Sequence, residues 1–378
     1  MPLFSTHFPT WGFSLFSLLQ SRTQAPRNIC DRSNASRWRP SLAIVGCGAV
    51  AELSIVAALE QLKLKPRLFV DRSEKQAQAL AKRFGAAVAT TTAALAEHGI
   101  DAAIVATPNA IHATVALQLL DAGVHVLVEK PMAVTGAECD AMIAAARASG
   151  ACLAVGQMYR FNPAYRWVKA LVASGALGDI RHVEVRTGAP YGWPLKSDGL
   201  WRRDVAGGGV LIDAGVHILD LLLWWLGDLA VEDYRDDNYG GVEADCLLTA
   251  ATSTGGEVIA EFSRTRDMPR RLRIEGTQGA IGISLAGGAI DELTGTAAAF
   301  DAGPRLPRTA ATSHIQLFAS EIEDWLAAIA AGRQPFVPGP EAARVVRLIE
   351  TCYRQRRDWD LPWIKAPASP SGKQGVAA

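Results

Sequence analysis

Short apolar runs alternate with Ala- and Leu-rich stretches through the first half of the chain. The stretches between them have helical composition and lie before about residue 63, at 110–122 and at 135–149. Short apolar runs that end at Gly or at a polar residue are typical of buried parallel strands. This alternation predicts a doubly wound parallel sheet. The predicted strands are residues 42–45, 67–70, 102–107, 125–130 and 152–156.

The pattern changes after about residue 159. A helix is predicted at 162–172 and a strand at 180–187, and a long loop leads to an apolar helix at 210–226. Strand-like runs joined by Gly-rich turns between 243 and 284 predict an antiparallel sheet. Helices are predicted at about 313–331 and 340–357. The fold class is therefore α/β, with a parallel sheet first and a mainly antiparallel sheet second.

The chain has 378 residues, more than one compact core usually holds, which favours two domains. The predicted division is an N-terminal extension (1–40), a nucleotide-binding domain (41–158), a second domain (159–364) and a tail (365–378). The formal net charge is +0, which gives no electrostatic reason to expect a nucleic-acid or membrane partner. The six cysteines form no C-x-x-C pair, so we expect no disulfide framework and no metal site, and a reducing, cytoplasmic location.

The first forty residues leave the location open. The first thirty contain no Asp or Glu, and Ser, Arg and aromatic residues are frequent. Organelle transit peptides have this composition. A disordered extension or an upstream start codon is the simpler explanation, and the predicted domains begin at residue 41.

The first predicted strand runs into GCGAVA at residues 46–51. Gly46 permits a tight turn, Gly48 lets the backbone approach a pyrophosphate, and Ala51 takes the position of the third glycine. The first backbone amides of the following helix face the same pyrophosphate position. A strand before the motif and a helix after it support dinucleotide binding, with Cys47, Ala49 and Val50 in the turn.

Asp71 ends the second predicted strand, where a carboxylate holds the adenosine ribose hydroxyls of a dinucleotide. Its charge repels a 2′-phosphate, which favours NAD over NADP. Arg72 beside it either attracts such a phosphate or lies over the adenine, so NADP stays possible.

Three further segments follow strands at the edge where open α/β sheets bind ligands. They are TPNAIH (107–112), EKP (129–131) and GQMYRFNP (156–163). Lys130 stands before a proline, which keeps its backbone extended and favours a side chain in the cleft. From these segments we predict cofactor contacts by Thr107, Pro108, Asn109, His112, Glu129, Lys130 and Gln157.

The apolar helix at 210–226 contains three ionisable residues, Asp213, His217 and Asp220. Residues four apart share a helix face, so Asp213 and His217 are expected to project together. A carboxylate beside an imidazole orients the ring and favours its protonated form. A structural alternative is a helix N-terminal acid with a satisfied core histidine.

Beside a dinucleotide, the pair has a chemical use. Oxidation of an alcohol removes a hydride from carbon and a proton from oxygen. Histidine has a suitable pKa for the proton, and Lys130 offers a cation for the developing alkoxide.

The motifs AIVGCGAVAE, ATPNAIH, VLVEKPMA and GGGVLIDAGVHILDLLLWWLG resemble the glucose–fructose oxidoreductase/inositol dehydrogenase/MocA (Gfo/Idh/MocA) family over roughly residues 41 to 360. The resemblance implies a Rossmann domain followed by an α/β domain with an open, mainly antiparallel sheet. It implies catalysis by Lys130, Asp213 and His217, with NAD or NADP as cofactor. It also implies a sugar or cyclitol substrate and a homo-oligomer formed through that sheet.

The loop 188–204 carries aromatic and basic side chains, including Tyr191, Lys196, Trp201 and Arg202. Aromatic faces suit sugar rings, and the resemblance places Trp201 and Arg202 near the nicotinamide; simple packing of the loop is the alternative. We predict substrate contacts by Arg160, Tyr191, Trp201 and Arg202. A basic cluster is either a solvated strand edge or a site for a nucleotide-sugar diphosphate. It comprises Arg264, Arg266, Arg270, Arg271 and Arg273.

Three other protein classes are alternatives to this family. A short-chain dehydrogenase would use Tyr165 and Lys169, which have Y-x-x-x-K spacing, but its glycine pattern is absent and both are expected on a helix surface. A zinc alcohol dehydrogenase lacks clustered Cys and His ligands. A non-catalytic nucleotide-sensing regulator is compatible with the fold, although the presence of Lys130 and His217 favours an enzyme.

Overall fold

The structure is a computed structural model that describes residues 40–194, 198–295 and 312–362. Residues 1–39, the tail predicted at 365–378 and Lys196 of the long loop lie outside the described residues. Their predicted roles stay predictions.

The first sheet has six parallel strands in the order β3-β2-β1-β4-β5-β6. The predicted doubly wound sheet is confirmed. The short β3 was missed because its three small residues, Ala87–Ala89, are only partly buried and lack a strand's apolar run. The strands are β1 (Leu42–Val45), β2 (Leu68–Val70), β3 (Ala87–Ala89), β4 (Ala102–Val105), β5 (His125–Glu129) and β6 (Leu153–Gly156).

The second sheet has eight strands in the order β13-β12-β11-β7-β10-β9-β8-β14. Two neighbouring pairs, β7 with β10 and β8 with β14, are parallel, and the others are antiparallel. The predicted mainly antiparallel sheet is confirmed. Its strands are β7 (Ile180–Gly188), β8 (Leu229–Asp236), β9 (Asp245–Thr252), β10 (Glu257–Ser263), β11 (Arg271–Gly276), β12 (Gly279–Ser284), β13 (Ile290–Gly295) and β14 (Arg357–Asp358).

Ten α-helices connect and cover the sheets within the described ranges. They are α1 (Val56–Gln61), α2 (Glu74–Ala81), α3 (Ala94–Glu97), α4 (His112–Asp121), α5 (Gly136–Ser149), α6 (Pro163–Ala173), α7 (Arg203–Ala206), α8 (Val216–Leu226), α9 (His314–Ala331) and α10 (Gly339–Arg354). Two π-helical turns, Ala51–Ile55 and Leu211–Gly215, lead into α1 and α8. Three single 3₁₀ turns lie at Asn109–Ile111, Met158–Phe161 and Gly199–Trp201.

Alternate residues of the parallel strands enter two different cores. Ala43 and Val45 of β1 belong to a core that continues into the inner face of the second sheet. Leu42 and Ile44 face the opposite core, which also takes Trp325 of α9. This period of two follows from the strand pleat, and it explains why the β1 run is apolar throughout.

The C-terminal helices return to the first sheet. Helix α9 packs on α1, and α10 packs on α5. The helices that follow residue 312 therefore help to close the nucleotide-binding half. The predicted domain boundary near residue 158 stays a prediction. This return fixes the first sheet and the second sheet around one cavity.

Candidate active site

The turn after β1 is built from backbone constraints. Gly46 has φ +96°, and a Cβ there would lie 2.3 Å from the carbonyl oxygen of Ala106. Gly48 differs, because a Cβ there would have nothing within 4 Å. The protein itself therefore requires glycine at 46, whereas Gly48 leaves open space beside the turn. That space, next to helical amides, fits the pyrophosphate of a dinucleotide.

Asp71 is tied to the same turn. Its Oδ2 accepts a hydrogen bond from the Cys47 amide at 2.8 Å, and its Oδ1 accepts one from the Ser73 amide at 2.8 Å. These bonds hold the carboxylate at the end of β2. Each carboxylate oxygen has further acceptor capacity, so Asp71 fits a role in holding ribose hydroxyls.

A cavity of about 790 Å³ lies between the two sheets. It includes ten of the predicted site residues, contributed by both halves of the chain. Two lining side chains, Ser54 and Thr107, have buried hydroxyl oxygens with no hydrogen-bond partner among the described residues, which suits a polar ligand. The predicted residues on the wall are Ala49, Val50, Thr107, Asn109, His112, Glu129, Lys130, Tyr191, Asp213 and His217.

Lys130 joins the two halves at the floor of the cavity. Its Nζ donates to the backbone oxygen of Asp213 at 2.7 Å and to Asp213 Oδ1 at 3.2 Å. Asp213 Oδ2 also lies 3.5 Å from Nη2 of Arg264. One carboxylate thus contacts two cations, which orients the lysine and leaves the local charge positive.

His217 lies beside this pair, but its charge state differs from the expectation. Burial is the main cause that lowers the pKa of His217 well below its usual value, and the nearby Lys130 and His314 lower it further. The prediction that Asp213 would favour protonated His217 is wrong, because the Asp213 carboxylate turns to Lys130 and Arg264 instead. The imidazole lies against the Tyr159 ring, with the two ring centroids 4.8 Å apart and an interplanar angle of 33°, and its Nδ1 has no hydrogen-bond partner among the described residues.

Asp220, the third ionisable residue of the apolar segment, faces the core. It accepts two hydrogen bonds from Arg160, at 2.7 and 2.8 Å. The side chains of Arg160 and Asp220 are 2% and 1% exposed. Burial raises the pKa of Asp220, and the bonds from Arg160 oppose that shift. The prediction that Arg160 contacts the substrate is therefore wrong, because its guanidinium is held in a buried ion pair with Asp220.

Two comparisons with protein families match both halves of the chain. Residues 41–157 match the model of the "Oxidoreductase family, NAD-binding Rossmann fold", and residues 165–282 match the "GFO/IDH/MocA C-terminal domain". Together the two matches span more than half of the sequence. The chain belongs to the Gfo/Idh/MocA family of oxidoreductases.

Similar proteins of this family carry sugar-related names. The dTDP-3,4-didehydro-2,6-dideoxy-alpha-D-glucose 3-reductase of Streptomyces violaceoruber is 30% identical over 251 residues, which are 65% of this chain and 72% of that enzyme. The D-glucoside 3-dehydrogenase of Escherichia coli is 32% identical over 216 residues, or 54% of this chain. That second match spans only 60% of the relative's own length.

A solved structure agrees in fold with this oxidoreductase. The aldose-aldose oxidoreductase from Caulobacter crescentus, complexed with glycerol, superposes with a TM-score of 0.72 and 26% identity. The comparison covers 84% of this chain and 97% of that one. A parallel sheet followed by a mainly antiparallel sheet is the family's fold, and NAD or NADP is its cofactor.

Two predicted cofactor contacts of this family member, His112 and Gln157, are buried. The His112 ring nitrogens lie 2.7 Å from the Pro131 carbonyl and 2.8 Å from the Thr107 carbonyl. Burial is the main cause that lowers the pKa of His112, and a neutral imidazole donates from one ring nitrogen only, so one of these two carbonyls accepts its hydrogen bond. Gln157 is buried, and neither atom of its side-chain amide has a hydrogen-bond partner among the described residues.

Glu129 carries the second titratable carboxyl group on the wall. Burial raises its pKa to about 7, and the neighbouring Lys130 acts in the opposite direction. Glu321 of α9 is also buried, and burial together with Glu129 raises its pKa well above the usual value. At neutral pH this end of the cavity therefore carries less negative charge than its two carboxyl groups suggest.

The predicted substrate loop is only partly in the cavity. Tyr191 lines it, and the Trp201 ring, 41% exposed, packs edge-on against Tyr191 at 5.3 Å. Arg202 is exposed and paired with Asp204. The structure therefore does not bring Arg202 to the cavity, because a neighbouring carboxylate holds its guanidinium at the surface.

Several lining residues with polar side chains were not predicted as site residues, among them Ser54, Tyr159, Arg264 and His314. Ser54 and His314 lie outside the predicted motifs, in a π-helical turn and at the start of α9, whereas Tyr159 lies inside the segment GQMYRFNP but was not singled out there. Arg264 was assigned to a basic cluster. The sequence signal that could have identified Arg264 as a site residue is its position directly after strand β10, at an end of a sheet.

Two further features concern metal binding and membrane spans. Within the described ranges, no group of three or more His, Cys, Asp or Glu side chains is arranged to hold a metal ion. The stretch Arg203–Leu226 is long and apolar enough to cross a membrane, but 72% of its most apolar window is buried inside the protein, as in a core helix.

Proposed function

We propose that this oxidoreductase interconverts a secondary hydroxyl group and a ketone on a sugar, cyclitol or sugar derivative. The observation that carries the proposal is the contact of Lys130 with Asp213 beside a neutral His217, in a cavity that extends to the glycine turn. The sugar-related names of the relatives support the substrate class. Nicotinamide supplies the hydride acceptor or donor when the cofactor is bound.

In the oxidation direction His217 takes the hydroxyl proton. A neutral imidazole is required for this, and burial keeps His217 neutral at physiological pH. Lys130 stabilises the negative charge that develops on the substrate oxygen as the proton leaves. Reduction uses the same groups in reverse, with His217 returning a proton to the oxygen.

Asp213 acts on Lys130 rather than on the imidazole. Its carboxylate and its backbone oxygen both accept from the ammonium, so the lysine keeps its charge and its direction. Asp71 at the other end of the site favours NAD over NADP, because its charge repels a 2′-phosphate.

The first experiment compares His217→Ala and Lys130→Ala with the wild type on D-glucosides, cyclitols and nucleotide sugars. We expect kcat to fall about 100-fold or more in each variant. Lys169→Ala is the matched control, because Lys169 belongs to the Y-x-x-x-K pattern of the rejected short-chain mechanism. Wild-type rates in both site variants, or a large loss in Lys169→Ala, would overturn the assignment.

The alternative of a nucleotide-sensing regulator predicts cofactor binding with no turnover of any member of that panel. Reduced-nicotinamide absorbance after prolonged incubation separates the two. Turnover that depends on His217 rejects the regulator, and cofactor binding without turnover supports it.

We also propose a homo-oligomer formed through the outer face of the second sheet, and a cytoplasmic location. Ile259 and Leu247 are half-buried positions on neighbouring strands of that sheet. Light scattering should give more than one protomer for the wild type and a smaller mass for Ile259→Lys. An unchanged mass in that variant counts against this face.

A further inference from the structure

The five arginines of the predicted basic cluster separate into two groups. Three of them are held in ion pairs with sheet carboxylates. Arg266 pairs with Asp245 and Glu261, Arg271 pairs with Asp291 and Glu292, and Arg273 pairs with Glu292 and Glu275. The prediction of a charged strand edge describes these three.

Arg264 differs from them, and the solvated-edge interpretation is wrong for it. The residue is only 7% exposed, and its side chain reaches the cavity wall. Nη2 has one long contact, 3.5 Å to Asp213 Oδ2. Nε and Nη1 are buried without a hydrogen-bond partner among the described residues.

A buried guanidinium with two unused donors is unfavourable unless a ligand completes it. The rings of Tyr191 and Trp201 lie 5.9 and 5.5 Å from its central carbon and stabilise the charge by cation–π contacts. A ring face does not replace the oxygen acceptors that the N–H groups prefer. The missing acceptors are therefore expected from the molecule that enters the cavity.

Charge balance indicates what kind of oxygen that molecule brings. Asp213 is shared between Lys130 and Arg264, so one negative charge faces two positive ones. Arg270 adds a third cation at the rim. It lines the cavity, is exposed, and makes no ion pair with any residue in 40–194, 198–295 or 312–362.

The backbone holds both arginines at this place. The Arg264 carbonyl accepts from the Tyr191 amide at 2.9 Å, which fixes the aromatic loop to the end of β10. Arg270 has φ +48°, an unusual value for a residue with a side chain. The surrounding fold therefore sets the backbone position of each arginine.

We propose that Arg264, with Arg270 at the rim, binds an anionic oxygen group of the substrate, a carboxylate or a phosphate. The physiological substrate is then an acidic sugar rather than a neutral one. This inference rests on the proposed oxidoreductase function and adds the charge class of its substrate.

The experiment measures kcat/KM with NAD on three matched arms. One arm contains sugar acids such as glucuronate, a second contains sugar phosphates such as glucose 6-phosphate together with nucleotide sugars, and the third contains neutral sugars and methyl glucosides. We expect one of the two anionic arms to exceed the neutral arm about tenfold or more, and the better arm identifies carboxylate or phosphate as the group.

Variants test whether Arg264 causes the preference. In Arg264→Met we expect kcat/KM for the anionic substrate to fall about 10- to 100-fold, mainly through KM, and to fall by a larger factor than kcat/KM for neutral substrates. Arg264→Lys should recover part of the loss because it keeps the charge, and Arg270→Ala should reproduce part of it. Arg271→Met is the matched control, since Arg271 is ion-paired away from the cavity.

A cofactor titration by fluorescence and a melting temperature verify that each variant is folded. A neutral arm that equals the anionic arms overturns the inference and leaves the proposed function intact. The same holds if Arg264→Met lowers all three arms equally. No turnover in any arm, with the cofactor bound, rejects the proposed function itself, and the inference falls with it.

Discussion

The glycine turn after β1 and the helical segment that carries His217 face the same cavity, but their geometry has different origins. At the turn, backbone conformation dominates, because Gly46 has φ +96° and no room for a Cβ. At the helical segment, distant charged side chains dominate: Lys130 and Arg264 reach Asp213 from 83 and 51 positions away. The comparison teaches that a motif defines a backbone, while the partners of its ionisable groups depend on the whole fold.

The largest effect is expected where the helical segment meets the core. In Asp220→Asn the buried Arg160 loses its charged partner, and the free energy of unfolding should fall by about 3–5 kcal/mol. In Asp213→Asn, on the half-exposed cavity side, stability should change by less than about 1 kcal/mol while kcat falls about 100-fold. Urea denaturation and steady-state kinetics measure the two. If the effects exchange places, the assignment of the two aspartates is wrong.

The glycine turn is tested by a matched pair. Gly46→Ala should cost more than about 2 kcal/mol of stability, because its φ disfavours a side chain and its Cβ meets Ala106. Gly48→Ala should fold with a change below about 1 kcal/mol, yet weaken NAD binding about tenfold by filling the space beside the pyrophosphate. Thermal melts and fluorescence titration measure these quantities. Unchanged NAD affinity in Gly48→Ala would remove the pyrophosphate from this position.

The pH dependence of oxidation tests the state of His217. Neutral His217 is the active form, and its pKa is lowered, so kcat/KM should stay level as pH falls through 6.5 and decrease only below that. Lys130→Met removes a cation that lowers this pKa, and the acid limb should move to higher pH even though the rate is reduced. An acid limb that stays in place would show that His217 is not the titrating group.

The smallest effect is expected at Asp71. Asp71→Asn removes the charge and keeps one of the two oxygens that accept from the Cys47 and Ser73 amides, so the preference for NAD over NADP should fall about tenfold. The ratio of kcat/KM for the two cofactors measures it. Arg72→Ala is a useful companion, because loss of NADP use there would assign the 2′-phosphate to that arginine. An unchanged ratio in Asp71→Asn contradicts the cofactor argument.

The order of strands and helices followed from hydrophobic pattern over most of the chain. Strand β8 (Leu229–Asp236) was missed because four of its eight residues are charged, which hides the period of two. Tyr165 was expected on a helix surface, but it is 1% exposed, packs against Trp225, and accepts that indole's hydrogen bond through its carbonyl. Helix periodicity around Tyr165 did not show that α8 would cover it.

The candidate site divides in the same way, between residues that local motifs identified and residues whose partners lie far away in the sequence. The wall residues of the turn, of EKP and of the Asp213–His217 pair came from local motifs. Arg160 was predicted to contact the substrate, and Arg264 was placed in a basic cluster with two interpretations left open, because the local sequence around an arginine does not show whether a buried carboxylate will pair with it. Asp220 supplies that partner for Arg160, whereas Arg264 shares Asp213 with Lys130.

The amino-acid sequence by itself determined the alternation of strands and helices, the glycine turn, and the residue types that line the ligand edge, since these depend on neighbours a few positions apart. Only the tertiary structure decided that Asp213 contacts Lys130 and Asp220 contacts Arg160, that His217 is kept neutral, and that Arg264 faces the cavity. The physical reason is that burial and charge pairing act through space, between groups that the chain brings together from 50 or more positions apart.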